Sequence, residues 1–160
     1  MIELVIYVSI IAVMAVLSVQ AMLSMTRVFA EIKSFTSIRG GGVVALERMI
    51  KEIRFGGSID YSGTVLGSNP GRLKLNTTDE NGNTKTLDFY VTNNSINIID
   101  NGIDKGSIIG SSTVLTNLVF RQSTTSKGML VKIEMTLKDN RATNTRSASF
   151  YGSAVLRGAY

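Results

Sequence analysis

Cysteine is absent from the 160-residue chain. Without thiols the protein can form neither a disulfide framework nor a thiolate metal site, so packing alone must stabilise any folded domain. Histidine is absent as well, which removes the commonest general base, the commonest metal ligand and every Ser-His or Cys-His nucleophile pair. No motif selects a pair of carboxylates for acid–base chemistry. The sequence therefore predicts neither an enzyme nor a cofactor.

The charge balance is basic, with a formal net charge of +5 and a sequence pI near 9.6. Such a balance favours contact with polyanions such as DNA or a phospholipid surface. No dense cluster of lysine and arginine occurs along the chain. DNA is therefore only weakly indicated as a partner, and a soluble basic domain explains the charge equally well.

A long apolar run occupies the start of the chain. Residues 4–23 carry no charge, and their only strongly polar members are Ser9, Ser18 and Gln20. Twenty helical residues span about 30 Å, the thickness of the hydrocarbon core of a bilayer. A secretory signal peptide would have a positive start, a shorter apolar core and a small-residue cleavage site. We therefore predict a transmembrane helix over residues 1–25.

The acidic residue Glu3 is unexpected at the start of a simple membrane anchor. A carboxylate in a membrane helix costs roughly 2.5–3.5 kcal/mol at the bilayer centre and less near an end. The first cations flanking the run, Arg27 and Lys33, lie on its C-terminal side. By the positive-inside rule alone, they would place the rest of the chain in the cytoplasm.

The stretch Ile2-Glu3-Leu4-Val5, followed by the apolar helix, resembles the N-terminal signature of type IV pilins and pseudopilins. The resemblance implies that Glu3 pairs with the amino terminus of a neighbouring subunit when the N-terminal helices assemble into a bundle. It implies other pilin subunits and an inner-membrane assembly machinery as partners, and a prepilin peptidase if a leader exists. The residues that would form the membrane and filament core are Leu4, Ile6, Ile10, Ile11, Val13 and Leu17.

The sequence departs from the family pattern at its first residue. Met1 stands where the family has the leucine before Ile2, so the basic leader, its final glycine and the Phe-Thr pair are missing. Two explanations are open: the chain is truncated, or a leucine codon such as TTG is read as the initiator. A missing basic leader would also explain the reversed charge asymmetry, and the in-frame DNA upstream of Met1 distinguishes the two.

Residues 26–57 have the pattern of an amphipathic helix. Apolar side chains recur at three- or four-residue steps and predict the packing face: Met25, Phe29, Ile32, Phe35, Val43, Leu46, Ile50 and Ile53. The triplet Gly40, Gly41 and Gly42 interrupts this pattern, and each glycine costs a helix about 1 kcal/mol relative to alanine. We predict one helix over residues 1 to 54, kinked at the triplet, which would act as a hinge. A turn between two helices on the same sheet is the alternative.

Residues 58–160 alternate between apolar and polar side chains and contain clusters of turn residues. Alternation at positions 73–75, 87–91 and 131–137 predicts strands, and further strands are expected near 96–99, 114–121 and 147–156. Asn81-Gly82 predicts a hairpin. The expected architecture is an α+β fold, in which a long helix with a protruding apolar half packs on six or seven mostly antiparallel strands. The pilin resemblance implies the same architecture.

Two acidic turns offer side-chain oxygens as possible calcium ligands, but neither offers enough of them. One contains Asp79, Asn81 and Asn83, and the other contains Asp100, Asn101 and Asp104. Calcium takes six or more oxygens, often including a bidentate glutamate, which neither turn supplies. Because hairpin turns are rich in Asp, Asn and Gly for conformational reasons, we predict no metal site.

The sequence therefore predicts a structural subunit of a type IV pilus or of a type II secretion-like pseudopilus. It would lie in the cytoplasmic membrane before assembly, and in an extracellular filament or the cell envelope afterwards. The stretch Ala45-Leu46-Glu47-Arg48-Met49 resembles the larger minor subunits. A major subunit, and roles in motility, adhesion, DNA uptake or secretion, remain open. The alternatives are a membrane-anchored surface-binding or adhesin module that never polymerises and an anchored hydrolase.

Overall fold

The computed structural model describes residues 2–79, 81–125, 128–140 and 146–157, so the interpretation of Met1 lies outside the described residues. One helix, α1 (Ile2–Phe55), is followed by eight described strands. The strands are β1 (Ser58–Ile59), β2 (Leu73–Thr78), β3 (Thr84–Thr92), β4 (Ser95–Asp100), β5 (Ile103–Ser107), β6 (Thr113–Thr125), β7 (Gly128–Asp139) and β8 (Ser147–Val155). The predicted α+β fold is confirmed.

Helix α1 runs without interruption through the glycine triplet, so the alternative of two helices joined by a turn is wrong. At its C-terminal end the amide of Gly56 donates to the carbonyl oxygen of Glu52 at 2.9 Å. The hydroxyl of Thr77 donates to the carbonyl oxygen of Phe55 at 3.1 Å. These bonds satisfy carbonyl groups that the last turn leaves free and tie the helix end to β2.

The strands form two antiparallel sheets, one with the order β1-β2-β3-β4-β5 and one with the order β6-β7-β8. Strands β1 and β5 were not predicted, so the described strands number eight where about six or seven in one sheet were expected. The hairpin at Asn81-Gly82 is confirmed, since β2 and β3 pair up to Thr78 and Thr84. In that turn Gly82 has positive φ. Two tight turns have positive φ at both central positions, as a type I′ hairpin turn requires: Asn93-Asn94 and Asn101-Gly102.

The packing face of α1 is rotated relative to the predicted one, although the predicted Leu46 and Ile50 are partly buried against the core. The buried residues are Ser34, Ile38, Gly42, Ala45, Met49 and Ile53. Of the predicted set only Ile53 is fully buried, whereas Phe35 and Val43 remain 40% and 44% exposed. The reason is steric: the small residues on the buried face allow β8 to approach closely, so that Gly42 lies against the ring of Phe150. Small residues carry little hydropathy signal, so the phase of the large apolar side chains is misleading here.

The segment 67–71, which precedes β2 of the first sheet, is hydrogen-bonded to the outer edge of β6 in the second sheet. The amides of Gly67 and Gly71 donate to carbonyl oxygens of β6, each at 2.8 Å. The side-chain oxygen of Asn69 accepts from the amide of Leu118 at 2.9 Å. A Cβ atom on Gly71 would lie 2.9 Å from the carbonyl oxygen of Leu118, so this close approach requires glycine. The segment 67–71 therefore covers the edge of β6.

Candidate assembly helix and its junction with the head

The first part of α1 projects from the folded head. Every residue in the range 2–33 is exposed, and the first buried residue of the helix is Ser34. Thirty-two helical residues extend about 48 Å. The head, which we define as residues 34–157, therefore covers only the C-terminal part of α1.

Residues 4–23 of this projecting segment carry no charge and are predominantly apolar on all sides of the helix. Over an 18-residue window its mean hydropathy is 2.5, and none of that window is buried. The six predicted core residues are each between 52% and 68% exposed: Leu4, Ile6, Ile10, Ile11, Val13 and Leu17. At about 1.5–3 kcal/mol for complete burial of a fully exposed large apolar side chain, these six partly exposed side chains alone would gain on the order of 5–10 kcal/mol outside water. Its length and composition are compatible with membrane anchoring and also with a signal sequence.

The hydroxyl groups within the apolar segment are satisfied by the helix itself. Ser9, Ser18 and Thr26 donate to the carbonyl oxygens four residues before them, at 2.7, 2.8 and 2.9 Å respectively. An unsatisfied hydroxyl is costly in an apolar medium, and this back-bonding removes much of that cost. These residues therefore do not oppose burial in lipid or between helices. From the sequence alone, Ser9 and Ser18 are recognisable only as polar residues within the apolar run.

Glu3 lies in the first turn of α1 and is exposed. A carboxylate is favourable near a helix N-terminus, where the backbone dipole is positive. No ion pair or side-chain hydrogen bond from another described residue reaches it. The first cation along the helix, Arg27, is 24 residues away, which is about 36 Å along the axis. Within α1, therefore, no cation can pair with Glu3.

The three predicted hinge glycines lie in different surroundings. A Cβ atom on Gly40 would have no neighbour within 4 Å, and one on Gly41 would make an ordinary contact of 3.8 Å with Thr113. A Cβ atom on Gly42 would overlap the ring of Phe150. Gly42 thus has a packing role that the sequence did not reveal. The hinge stays a prediction, and within it only Gly40 and Gly41 are free of close contacts.

Two polar contacts fix the position along α1 at which the helix enters the head. Arg146, just before β8, donates to the carboxylate of Glu31 at 2.8 Å. The hydroxyls of Ser37 and Ser112 are 2.9 Å apart. The Glu31–Arg146 pair is largely exposed, and such pairs contribute about 0.2–1 kcal/mol. Its value is positional, because it places the start of β8 beside residue 31 of the helix.

At the opposite end of α1, an open groove of about 900 Å³ lies between the helix end and the β2–β3 hairpin. Its ionisable lining residues are Lys51, Glu52, Asp79, Lys85 and Arg157. Hydrogen bonds from the backbone and side chain of Asn83 lower the pKa of Asp79 below its usual value. A carboxyl group with a lowered pKa is ionised at neutral pH, so Asp79 is not poised as a general acid.

The two acidic turns use their carboxylates to hold the chain. Asp79 accepts hydrogen bonds from the amides of Asn81 and Asn83, at 2.9 and 2.8 Å. Asp104 accepts one from the amide of Gly106 at 2.8 Å and one from the hydroxyl of Tyr90 at 2.9 Å. Among the described residues, no group of three or more carboxylates comes together as a metal site. Turn geometry is thus a sufficient reason for both clusters.

Comparison of the chain with protein-family models, with curated proteins and with solved structures finds no match. Any functional conclusion therefore depends on the residues and on the geometry described above.

Proposed function

We propose that this protein is a non-catalytic subunit of a type IV pilus or of a related pseudopilus. It would be anchored in the cytoplasmic membrane by the start of α1 and then polymerised through that helix. The observation that carries the proposal is the 32-residue segment 2–33, which is exposed along its whole length and begins with one carboxylate. A helix that is apolar all round requires either lipid or other helices around it.

The same segment can serve in both environments at little cost in apolar free energy. In the membrane its side chains contact lipid, and in a filament they would contact the equivalent helices of neighbouring subunits. Both environments exclude water, so the apolar surface stays buried when the subunit moves from one to the other. The satisfied hydroxyls of Ser9, Ser18 and Thr26 are compatible with either environment.

Glu3 supplies the element that a simple anchor does not need. In the proposed bundle it pairs with the amino terminus of the adjacent subunit and sets the axial register between them. Removing one partner of a buried ion pair costs about 3–5 kcal/mol, because the remaining charge is left without compensation. By comparison, a shift of one register step in a uniformly apolar bundle has a small energetic cost, so the charge pair would dominate the choice of register.

The experiment compares two alanine variants of carboxylates on α1. Glu3→Ala removes the proposed assembly charge, and Glu47→Ala removes an exposed carboxylate of the same helix within the head. Both variants should remain folded in the membrane fraction. In sheared filaments, Glu3→Ala should be reduced at least tenfold, since 1.4 kcal/mol already corresponds to a factor of about 10. Glu47→Ala should be incorporated like the wild type.

Normal incorporation of Glu3→Ala would overturn the proposed role of the carboxylate. A wild-type protein that never leaves the membrane fraction would overturn polymerisation itself. That second result would favour an anchored surface-binding module.

A further inference from the structure

Strand β8 has the least protected edge among the described strands of the head. The outer edge of β6 is covered by the segment 67–71. Strand β1 has two residues, and β5 has five, with Asp104, Lys105 and an irregular register opposite β4. By contrast, β8 is nine residues long, is uncharged, contains no proline and keeps a continuous register with β7. Native proteins ordinarily blunt such an edge with charge, proline or a bulge.

The register shows which backbone groups of β8 point outward. The amide of Leu156 donates to the carbonyl oxygen of Met129 at 3.0 Å, directly beyond the Leu130–Val155 pair. Hydrogen-bonded pairs alternate along an antiparallel ladder, so even-numbered β8 residues bond to β7 and odd-numbered residues point away from it. The odd-numbered residues are Ser147, Ser149, Tyr151, Ser153 and Val155. Among the described residues, no backbone hydrogen bond reaches the outward groups.

The flank of α1 next to this edge carries the apolar side chains of Leu46 and Ile50, and by its spacing the exposed carboxylate of Glu47 lies on the same side. A Cβ atom on Gly152 would lie 2.8 Å from Ile50 and 3.0 Å from Leu46, which places these side chains over β8. Val43, on the same side of the helix by its spacing, is 44% exposed. An extended chain added to β8 would therefore meet apolar side chains on its inner side.

The outer face of the β6-β7-β8 sheet, the face turned away from α1, is positively charged. Its described cations are Arg121, Lys132 and Lys138, and its one described carboxylate is Glu134. Arg121 and Lys132 already bind that carboxylate, at 3.1 and 3.0 Å. Tyr151 is 66% exposed on the same face, with the ammonium of Lys132 5.9 Å from its ring centre. Charge complementarity therefore favours an acidic segment at this edge.

Strand direction argues against two copies pairing through β8. Phe150 lies at Gly42, and Gly152 lies at Leu46 and Ile50, so β8 and α1 run in the same direction. Two β8 strands paired antiparallel would therefore carry antiparallel α1 helices. Two copies anchored in one membrane through the start of α1 cannot adopt that arrangement. This argument rests on the membrane anchoring of the proposed function.

We infer that the outer edge of β8 is a binding site for an extended, acidic segment of a different polypeptide. The segment adds as an antiparallel strand, with apolar side chains against the flank of α1 and acidic side chains on the outer face. Backbone hydrogen bonds supply affinity, and the alternating side chains supply specificity. The odd-numbered β8 residues lie on the outer face and also have their backbone groups directed at the added strand. Because directly opposite residues share a face, the acidic residues of the segment lie opposite them, and the amides of these acidic residues bond to β8.

The test uses the full-length protein in detergent micelles and a synthetic nine-residue peptide that alternates valine with glutamate. Binding is measured by fluorescence anisotropy. Ser153→Pro removes one outward backbone amide and leaves the hydrogen bonds between β7 and β8 in place. Its matched control, Ser153→Ala, keeps that amide. The peptide should bind the wild type and Ser153→Ala equally, and should bind Ser153→Pro at least tenfold more weakly. A peptide with lysine in place of glutamate should also bind at least tenfold more weakly.

Modified peptides test the geometry with an unaltered protein, even if Ser153→Pro does not fold. Methylating the glutamate amides should abolish binding, whereas methylating the valine amides should preserve it. Equal or reversed effects would overturn the inference, as would no binding to the wild type or equal binding of the lysine peptide. Self-association that Ser153→Pro abolishes would assign the edge to a second copy and overturn it too. None of these results bears on Glu3, so the filament experiment stands separately.

Discussion

Replacing Gly42 by alanine should destabilise the head, although alanine is the better helix former. The added Cβ would overlap the ring of Phe150, and one ring carbon, Cε1, would lie 2.7 Å away. Overpacking of this kind costs about 1–3 kcal/mol, and an overlap of several ring atoms belongs near the upper limit. The gain in helix propensity offsets about 1 kcal/mol. The expected net destabilisation is therefore about 2 kcal/mol.

The neighbouring glycine provides the matched control. Gly40→Ala meets nothing within 4 Å and should stabilise the helix by up to about 1 kcal/mol. Urea denaturation of the full-length protein in micelles, followed by circular dichroism, measures both variants. In a Phe150→Ala background, Gly42→Ala should no longer destabilise, because the two effects are coupled through one contact. Equal stabilities of Gly42→Ala and Gly40→Ala would refute the packing argument.

Two further predictions concern charges in the head. Asp88→Asn should cost about 1–3 kcal/mol in urea denaturation, because the buried carboxylate accepts three hydrogen bonds from Arg72; a change below about 0.5 kcal/mol would contradict this. Hydrogen bonds from Lys74 and then Ser62 hold the pKa of Asp60 below its usual 3.8. Its contribution to stability is thus present above about pH 4 and is lost as the pH falls further. The thermal unfolding midpoint of the wild type should therefore decrease as the pH is lowered below 4, and that of Asp60→Asn should decrease less steeply over the same pH range.

The sequence was informative where one residue type determines local geometry. Strict alternation over residues 131–137 predicted β7, because one of its faces is buried and the other is wet. Asn81-Gly82 predicted a hairpin, and the structure gives Gly82 a φ of 84°. Asn93-Asn94 also forms a tight turn with positive φ at both residues, although it lacks the glycine that marks the Asn-Gly hairpin signal.

Packing between distant elements was not readable from the sequence. The buried face of α1 contains Ser34, Gly42 and Ala45, whose contribution depends on how closely β8 approaches. A periodicity of large apolar residues could not identify that face. The open edge of β8 likewise depends on strand order, because a strand's sequence does not show which neighbours it lacks. By contrast, the apolar run over residues 4–23 was readable, since its hydropathy can be recognised without knowledge of any tertiary contact.

The most direct measurement is a cryo-EM reconstruction of filaments that contain this protein. The account predicts that residues 2–33 lie inside a bundle of like helices, with the carboxylate of Glu3 within hydrogen-bonding distance of a neighbour's amino terminus. A map in which that carboxylate faces only hydrocarbon, or fibres from which the protein is absent, would contradict it.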